Sequence, residues 1–182
     1  MNKFLAILLL FTLAACGALN KSTKKNKIPN WKTLSGEEYS IQYPPDWGVN
    51  QTGMMNTKFY LISPMEDKND KFRENISFAI QDLTGYGIDL GMYVEMSEEQ
   101  VPAFLNNSEI IESTRVTTEK PEFHRIIYSG EYENRKMVFE QYYWMVGQKA
   151  YLLTFTCDYD KFIAYKATGE KILNSFVIKK RK

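Results

Sequence analysis

The stretch FHRIIYSGEYENRKMVFEQYYWMVGQKAYLLTFTC, residues 123–157, decides the fold. Apolar and polar residues alternate along it, which is the period of a strand rather than a helix. Two breaks, at 130–136 and 147–149, have the length and the glycines of hairpin turns. The pattern predicts strands over 123–132, 137–146 and 150–157, preceded by a fourth over 110–118. Hairpins join antiparallel neighbours, so a doubly wound parallel sheet is excluded. On the strand over 137–146, alternation sends Val138, Glu140, Tyr142 and Trp144 to one face. Met137, Phe139, Tyr143 and Met145 go to the other, which reads as core. Tyr142 and Trp144 are a candidate binding surface if no helix covers them; under a helix they become a second core layer.

Working outward, residues 39–43 (YSIQY) alternate and then stop at Pro44-Pro45. Residues 58–62 form a short apolar run, and a charged loop follows over 64–73. Residues 75–82 read as a strand, with Ile76, Phe78 and Ile80 on one side. Asp89 can cap a helix whose inward positions are Leu90, Tyr93, Val94, Val101, Phe104 and Leu105. Ser97 and Gln100 can form a capping box with Pro102 behind it, so a kink or restart near Ser97 is expected. Asp158 or Asp160 opens a last helix carrying Phe162, Tyr165, Ile172 and Leu173, and 175–178 can return as an edge strand or pack beside the sheet. Strands, helix, antiparallel strands and helix together make an α+β domain, an antiparallel β-sheet flanked by helices.

Composition bounds the function. The 182 residues carry 23 basic and 22 acidic side chains, but unevenly. Lysines 21, 24, 25 and 27 and the basic run 179–182 lie outside a body, 28–178, whose net charge is −8. Phosphate contacts need clustered Lys and Arg, so that body is a poor nucleic-acid binder. Cys157 alternates with Tyr151, Leu153 and Phe155, as a small core residue does.

The N-terminus reads as an address. Met1 to Lys3 make a short positive start, and residues 4–15 carry no charge, far short of the ~20 residues that span a bilayer. Leu13-Ala14-Ala15-Cys16-Gly17 resembles the lipobox of bacterial lipoproteins. That resemblance implies a cleaved signal peptide over 1–15 and diacylglycerol on Cys16. It also implies a chain held to the cell envelope by its acyl groups, in the outer membrane if the cell has two. Buried methylenes contribute about 0.8 kcal/mol each, so two or three chains anchor firmly. Residues 16–30 then read as the lipidated Cys and a flexible tether, 31–178 as the domain and 179–182 as a basic tail.

Three further segments resemble PsbP-like proteins. Residues 39–47 (YSIQYPPDW) are similar to their opening strand, Pro and Trp. Residues 73–77 (RENIS) are similar to a strand begun by Glu-Asn. Residues 172–176 (ILNSF) are similar to the closing helix-to-strand junction. The resemblance implies a PsbP-like α/β/α sandwich and a habit of non-catalytic protein binding; it transfers no specific function.

No chemistry-bearing motif is complete. Gly85, Gly87 and Gly91 sit between strand and helix as a dinucleotide loop would, but no parallel βαβ unit follows, and Asp89 puts a carboxylate where phosphate should lie. His124 is the only histidine; with no free Cys partner it makes no typical zinc site, and no nucleophile elbow accompanies it. Glu66, Asp67 and Asp70 could offer oxygens to calcium, yet the EF-hand spacing fails. Glu95, Glu98 and Glu99 read as a wet helix face. The expectation is therefore an envelope lipoprotein acting as a non-catalytic binding or support module, with no cofactor and no metal. Its partners are the membrane, through Cys16, and another envelope protein. The alternatives are a small-molecule or cation carrier and, behind them, a hydrolase using His124.

Overall fold

The computed structural model describes residues 25–179, so Cys16, the leader and residues 180–182 of the basic tail lie outside the described residues. Ten strands and two helices follow one another as β1 (Lys32–Ser35), β2 (Tyr39–Tyr43), β3 (Gly48–Asn50), β4 (Thr57–Ile62), β5 (Asn75–Asp82), α1 (Leu90–Phe104), β6 (Asn106–Val116), β7 (Phe123–Tyr132), β8 (Arg135–Val146), β9 (Lys149–Asp158), α2 (Phe162–Asn174) and β10 (Val177–Ile178). The principal sheet has seven strands in the order β3-β4-β5-β9-β8-β7-β6, and every neighbouring pair is antiparallel. A smaller sheet, β1-β2-β10, packs beside it. The predicted strands over 110–157 all form: β7 has the expected bounds, β8 and β9 are longer by one or two residues at their ends, and β6 starts four residues earlier and ends at Val116.

The turns follow from backbone chemistry. Glu133 and Asn134, between β7 and β8, both have positive φ (49° and 62°). Two successive residues in that region make the primed turn whose twist matches a hairpin. Gly147 (φ 61°) takes the equivalent place between β8 and β9.

Two apolar layers sandwich the principal sheet. On one face, Ile76, Phe78, Leu153, Phe155 and Cys157 pack under α2 and the small sheet, joined by Tyr39, Ile41, Ile172, Leu173 and Phe176. On the other, Ile126, Tyr128, Tyr143 and Ala150 meet Leu90, Tyr93, Val94, Val101 and Leu105 around α1. This is the expected α+β sandwich.

Three expectations need correction. Tyr142 and Trp144 are 4% and 7% exposed, stacked among Phe123 and Phe176 beneath α2. They are core, not a binding surface, because α2 and the small sheet cover their face. Helix α1 is also continuous through Ser97, whose hydroxyl bonds back to the Tyr93 carbonyl at 2.7 Å instead of capping a new helix. Pro102 falls in the last turn, where the helix is ending anyway. Finally, the tether is docked at its end: Ile28 N donates to Gln42 Oε1 (2.7 Å) and Gln42 Nε2 donates to the Asn26 carbonyl (3.0 Å).

Candidate functional site

A single helix cannot cover the whole of the second face. Fifteen residues give α1 about 22 Å of length, whereas seven strands ~4.8 Å apart spread close to 30 Å. The uncovered part is a cavity of about 710 Å³ between α1 and strands β5, β7, β8 and β9. Its floor is Tyr128, Met137, Phe139, Tyr143 and Leu152, and its helix wall is Tyr93, Val101 and Phe104. Phe104, Met55 and Tyr132 stand at the rim 71%, 81% and 54% exposed. Large apolar side chains left in water around a concave apolar floor mark a place where something binds.

The polar groups inside the cavity bond to one another. Tyr93 Oη donates to Gln81 Oε1 at 2.6 Å, Tyr143 Oη to Gln141 Oε1, and Gln141 Nε2 to Thr154 Oγ1 at 3.0 Å. Tyr128 stacks on Phe139 with centroids 4.9 Å apart, and Tyr93 meets Tyr143 edge-on. Burial raises the Tyr93 hydroxyl to about 12 and pushes Tyr128 and Tyr143 up as well, so all three stay neutral at physiological pH. The charged residues lining the cavity are Lys71, Glu133 and Arg135. Arg135 pairs with Asp158 (3.0 Å) and lies over the Phe72 ring at 5.6 Å.

The other candidates fall elsewhere. His124 is half-buried on the α1 side of β7. Its Nε2 lies 2.7 Å from Ser113 Oγ on β6, which in turn donates to Glu98 Oε1 on α1 at 2.5 Å. The residue types are those of a hydrolase, but the order is wrong. A serine hydroxyl has one proton, and with Glu98 accepting it no proton is left for His124 Nε2 to take, so the contact requires the tautomer in which Nε2 donates. A carboxylate 2.5 Å from that oxygen would also destabilise the alkoxide a nucleophile must develop. In a working triad the carboxylate orients the histidine. The cluster is exposed at Ser113 and lies outside the cavity lining. It fastens α1 to the sheet.

Glu66 and Asp70 are both 3.0 Å from Lys161 Nζ, and Tyr165 Oη donates to Glu66 at 2.8 Å. A lysine ammonium thus occupies the place expected for a cation. Gly85 and Gly87 have positive φ in an exposed turn. Asp89 caps α1 by accepting from Met92 N at 2.9 Å, which is the capping its position predicts. Glu95 and Glu99 face solvent. Cys157 is buried, and burial raises its thiol well above the usual range, as befits an inert core thiol. Lys179 Nζ bonds the Gly36 carbonyl at 2.7 Å.

Glu140, on the covered face, is fully buried. It accepts from Arg125 Nε at 2.7 Å, and Arg125 also reaches Glu112 (2.6 Å) and Glu170 (3.2 Å). Burial raises the Glu140 carboxyl pKa and Arg125 lowers it only in part. This network ties β6, β7 and β8 to α2.

Alternation alone does not reveal the cavity, because it separates the two faces without saying which is left open. One signal was present. The cavity-side positions of β9 include Thr154 and Thr156, while its other side is Tyr151, Leu153, Phe155 and Cys157. Polar residues on one face of a central strand point to incomplete cover.

No family model matches this chain, and no curated protein matches it by sequence. Solved structures do. LpqN, involved in cell envelope biogenesis of Mycobacterium tuberculosis, superposes with a TM-score of 0.64 at 12% identity, over 82% of this chain and 91% of that one. Cyanobacterial PsbP (CyanoP) from Synechocystis gives 0.58 at 14% identity, over 92% and 99%. PA94 from Pseudomonas aeruginosa, a protein of unknown function, gives 0.59 at 10% identity, over 84% and 99%. At such identities the likeness is one of fold: the domain has the PsbP-like fold, and it shares that fold with a protein of envelope biogenesis.

Proposed function

We propose that the protein is an exported envelope component, lipid-anchored through Cys16, whose PsbP-like domain is a non-catalytic binding module working through the α1-side cavity. The observation that carries the reading is the cavity itself: about 710 Å³, within the range of small-molecule sites, floored by aromatic and aliphatic side chains. Its neutral tyrosines and mutually bonded amides offer shape and apolar surface rather than a nucleophile and its base. The fold shared with LpqN fits an envelope setting. The site favours a small ligand over a metal cation, since Lys161 already holds Glu66 and Asp70 and leaves Asp67 as the unpaired carboxylate of the three. A supporting role toward a larger partner would use the exposed rim at Met55 and Phe104.

The test is to purify the protein from its native membranes, extract it with solvent and identify what is released. The half-buried Leu152, on the cavity floor, replaced by Trp serves as the blocked control. A compound released by the wild type and not by Leu152→Trp supports the reading. Identical extracts, together with no binding of the neutral apolar dye N-phenylnaphthylamine to either protein, reject it. Mass spectrometry of the mature N-terminus tests the anchor separately; an unmodified Cys16 sulfur would remove it.

A further inference from the structure

Resting on that reading, we infer that the cavity's ligand is a single-chain zwitterionic phospholipid, its acyl chain along the apolar floor and its head group in an adjoining polar hollow. The hollow is smaller, about 270 Å³, and lies where the loop after β4 meets the β7–β8 hairpin. It is polar throughout, lined by Glu66, Asp67, Asn69, Asp70 and Lys161. The two spaces share two lining residues, Lys71 and Arg135. Moving from the cavity into the hollow, the wall passes from a mainly apolar lining that includes Glu133, past the shared cations Lys71 and Arg135, to three carboxylates with Lys161 among them. A lysophospholipid carrying an ethanolamine head presents the matching series: hydrocarbon, phosphate, ammonium.

The state of each charge sharpens the match. Glu66 and Asp70 are held by Lys161, and Arg135 by Asp158. Among the described residues, Lys71 and Asp67, like Glu133 in the cavity lining, take part in no ion pair. Both are exposed, one on the shared wall and one in the hollow. A zwitterion supplies one anion for Lys71 and one cation for Asp67, which a fatty acid or a neutral glycolipid does not. Within the apolar part, the amide oxygens of Gln81 and Gln141 already accept from tyrosine hydroxyls, so that wall asks for hydrocarbon, not for a ligand rich in hydroxyls. The volume agrees too. A chain of about 16 carbons fits within about 710 Å³, a volume inside the usual range of small-molecule sites.

The experiment uses the full mature domain and three probes below their micellar concentrations: 16:0 lysophosphatidylethanolamine, palmitate and N-phenylnaphthylamine. Lysophosphatidylethanolamine is expected to displace the dye and to bind about tenfold more tightly than palmitate. Lys71→Glu and Asp67→Lys should each weaken the lysophospholipid about tenfold; Asp67 lines only the hollow, so Asp67→Lys should also leave dye affinity unchanged. Dye binding that Leu152→Trp abolishes, without preference for the lysophospholipid or response to Lys71→Glu, overturns the ligand assignment and leaves the cavity as a binding site. Absence of dye binding overturns both.

Discussion

Gly169 lies inside α2, where glycine ordinarily costs about 1 kcal/mol relative to alanine, so Gly169→Ala would stabilise a free helix. In this protein the sign reverses. A Cβ built on Gly169 would lie 2.6, 2.7 and 2.9 Å from three ring carbons of Phe155. Ordinary carbon contacts are about 3.5–4.0 Å, so helix and sheet must part by close to 1 Å. Neither side has slack. Phe155 is fully buried in the middle of β9, between Ile76 and Glu140 on its neighbours. The chain at both ends of α2 is also tied: Asp158 caps the turn before it, and Ser175 after it bonds Gln42 N at 2.8 Å. Overpacking of this kind costs about 1–3 kcal/mol, and rigid surroundings favour the upper half. Subtracting the propensity gain leaves a net loss of about 1–2 kcal/mol, or a Tm lower by roughly 2–8 °C for a domain of this size. Urea denaturation should show a lower midpoint at unchanged slope. In a Phe155→Leu background the same substitution should become neutral or stabilising, giving a coupling of about 1–3 kcal/mol. If Gly169→Ala stabilises the wild-type protein, the close approach of α2 to the sheet is wrong.

Other outcomes follow from the same geometry. Arg125→Ala leaves Glu140 buried without its cation and should cost about 3–5 kcal/mol, largely recovered by adding Glu140→Gln. Burial raises the Glu140 carboxyl and Arg125 opposes that rise, so removing Arg125 raises it further and protonation relieves the variant; the defect should be smaller at pH 5 than at pH 8, by urea midpoints. His124 has its pKa lowered, first by burial and then by Arg115, with Glu98 opposing. Its neutral form is therefore favoured by folding, and that contribution is present above about pH 6.5 and lost as pH falls through the folded value. His124→Gln should flatten the wild type's loss of urea resistance between pH 7.5 and 5.5; an unchanged slope would contradict the assignment. Trp144→Ala should behave as a core deletion, losing about 3–5 kcal/mol in denaturation, with dye affinity of the still-folded fraction intact.

The elements were legible where one physical signal dominated. Alternation over 123–157, bracketed by a paired positive-φ turn and Gly147, leaves almost no freedom in register. Asp89 announced α1 by the same capping geometry it adopts. What escaped was coverage. Whether Tyr142 or Tyr143 faces a cavity depends on how much area α1 and α2 shield, and no local pattern carries that. The small sheet escaped for a similar reason. Strand β10 is two residues long, and it pairs with β2 more than 130 residues away. The His124 cluster shows the limit from the other side. Serine, histidine and glutamate do converge, but the direction of one hydroxyl proton decides between a nucleophile and a clasp.

The ends of β7 set a polarity for the whole domain. Lys25, where the described chain begins, is paired with Glu119 in the loop before β7, while Lys71 and Arg135 gather beside the hairpin after it. Ten residues of strand separate those ends by about 30 Å. The described chain thus enters the domain at one pole, while the charged rim shared by the cavity and the hollow lies at the other. Anything that docks beside Lys71 and Arg135 therefore approaches the end opposite the one where the described chain begins.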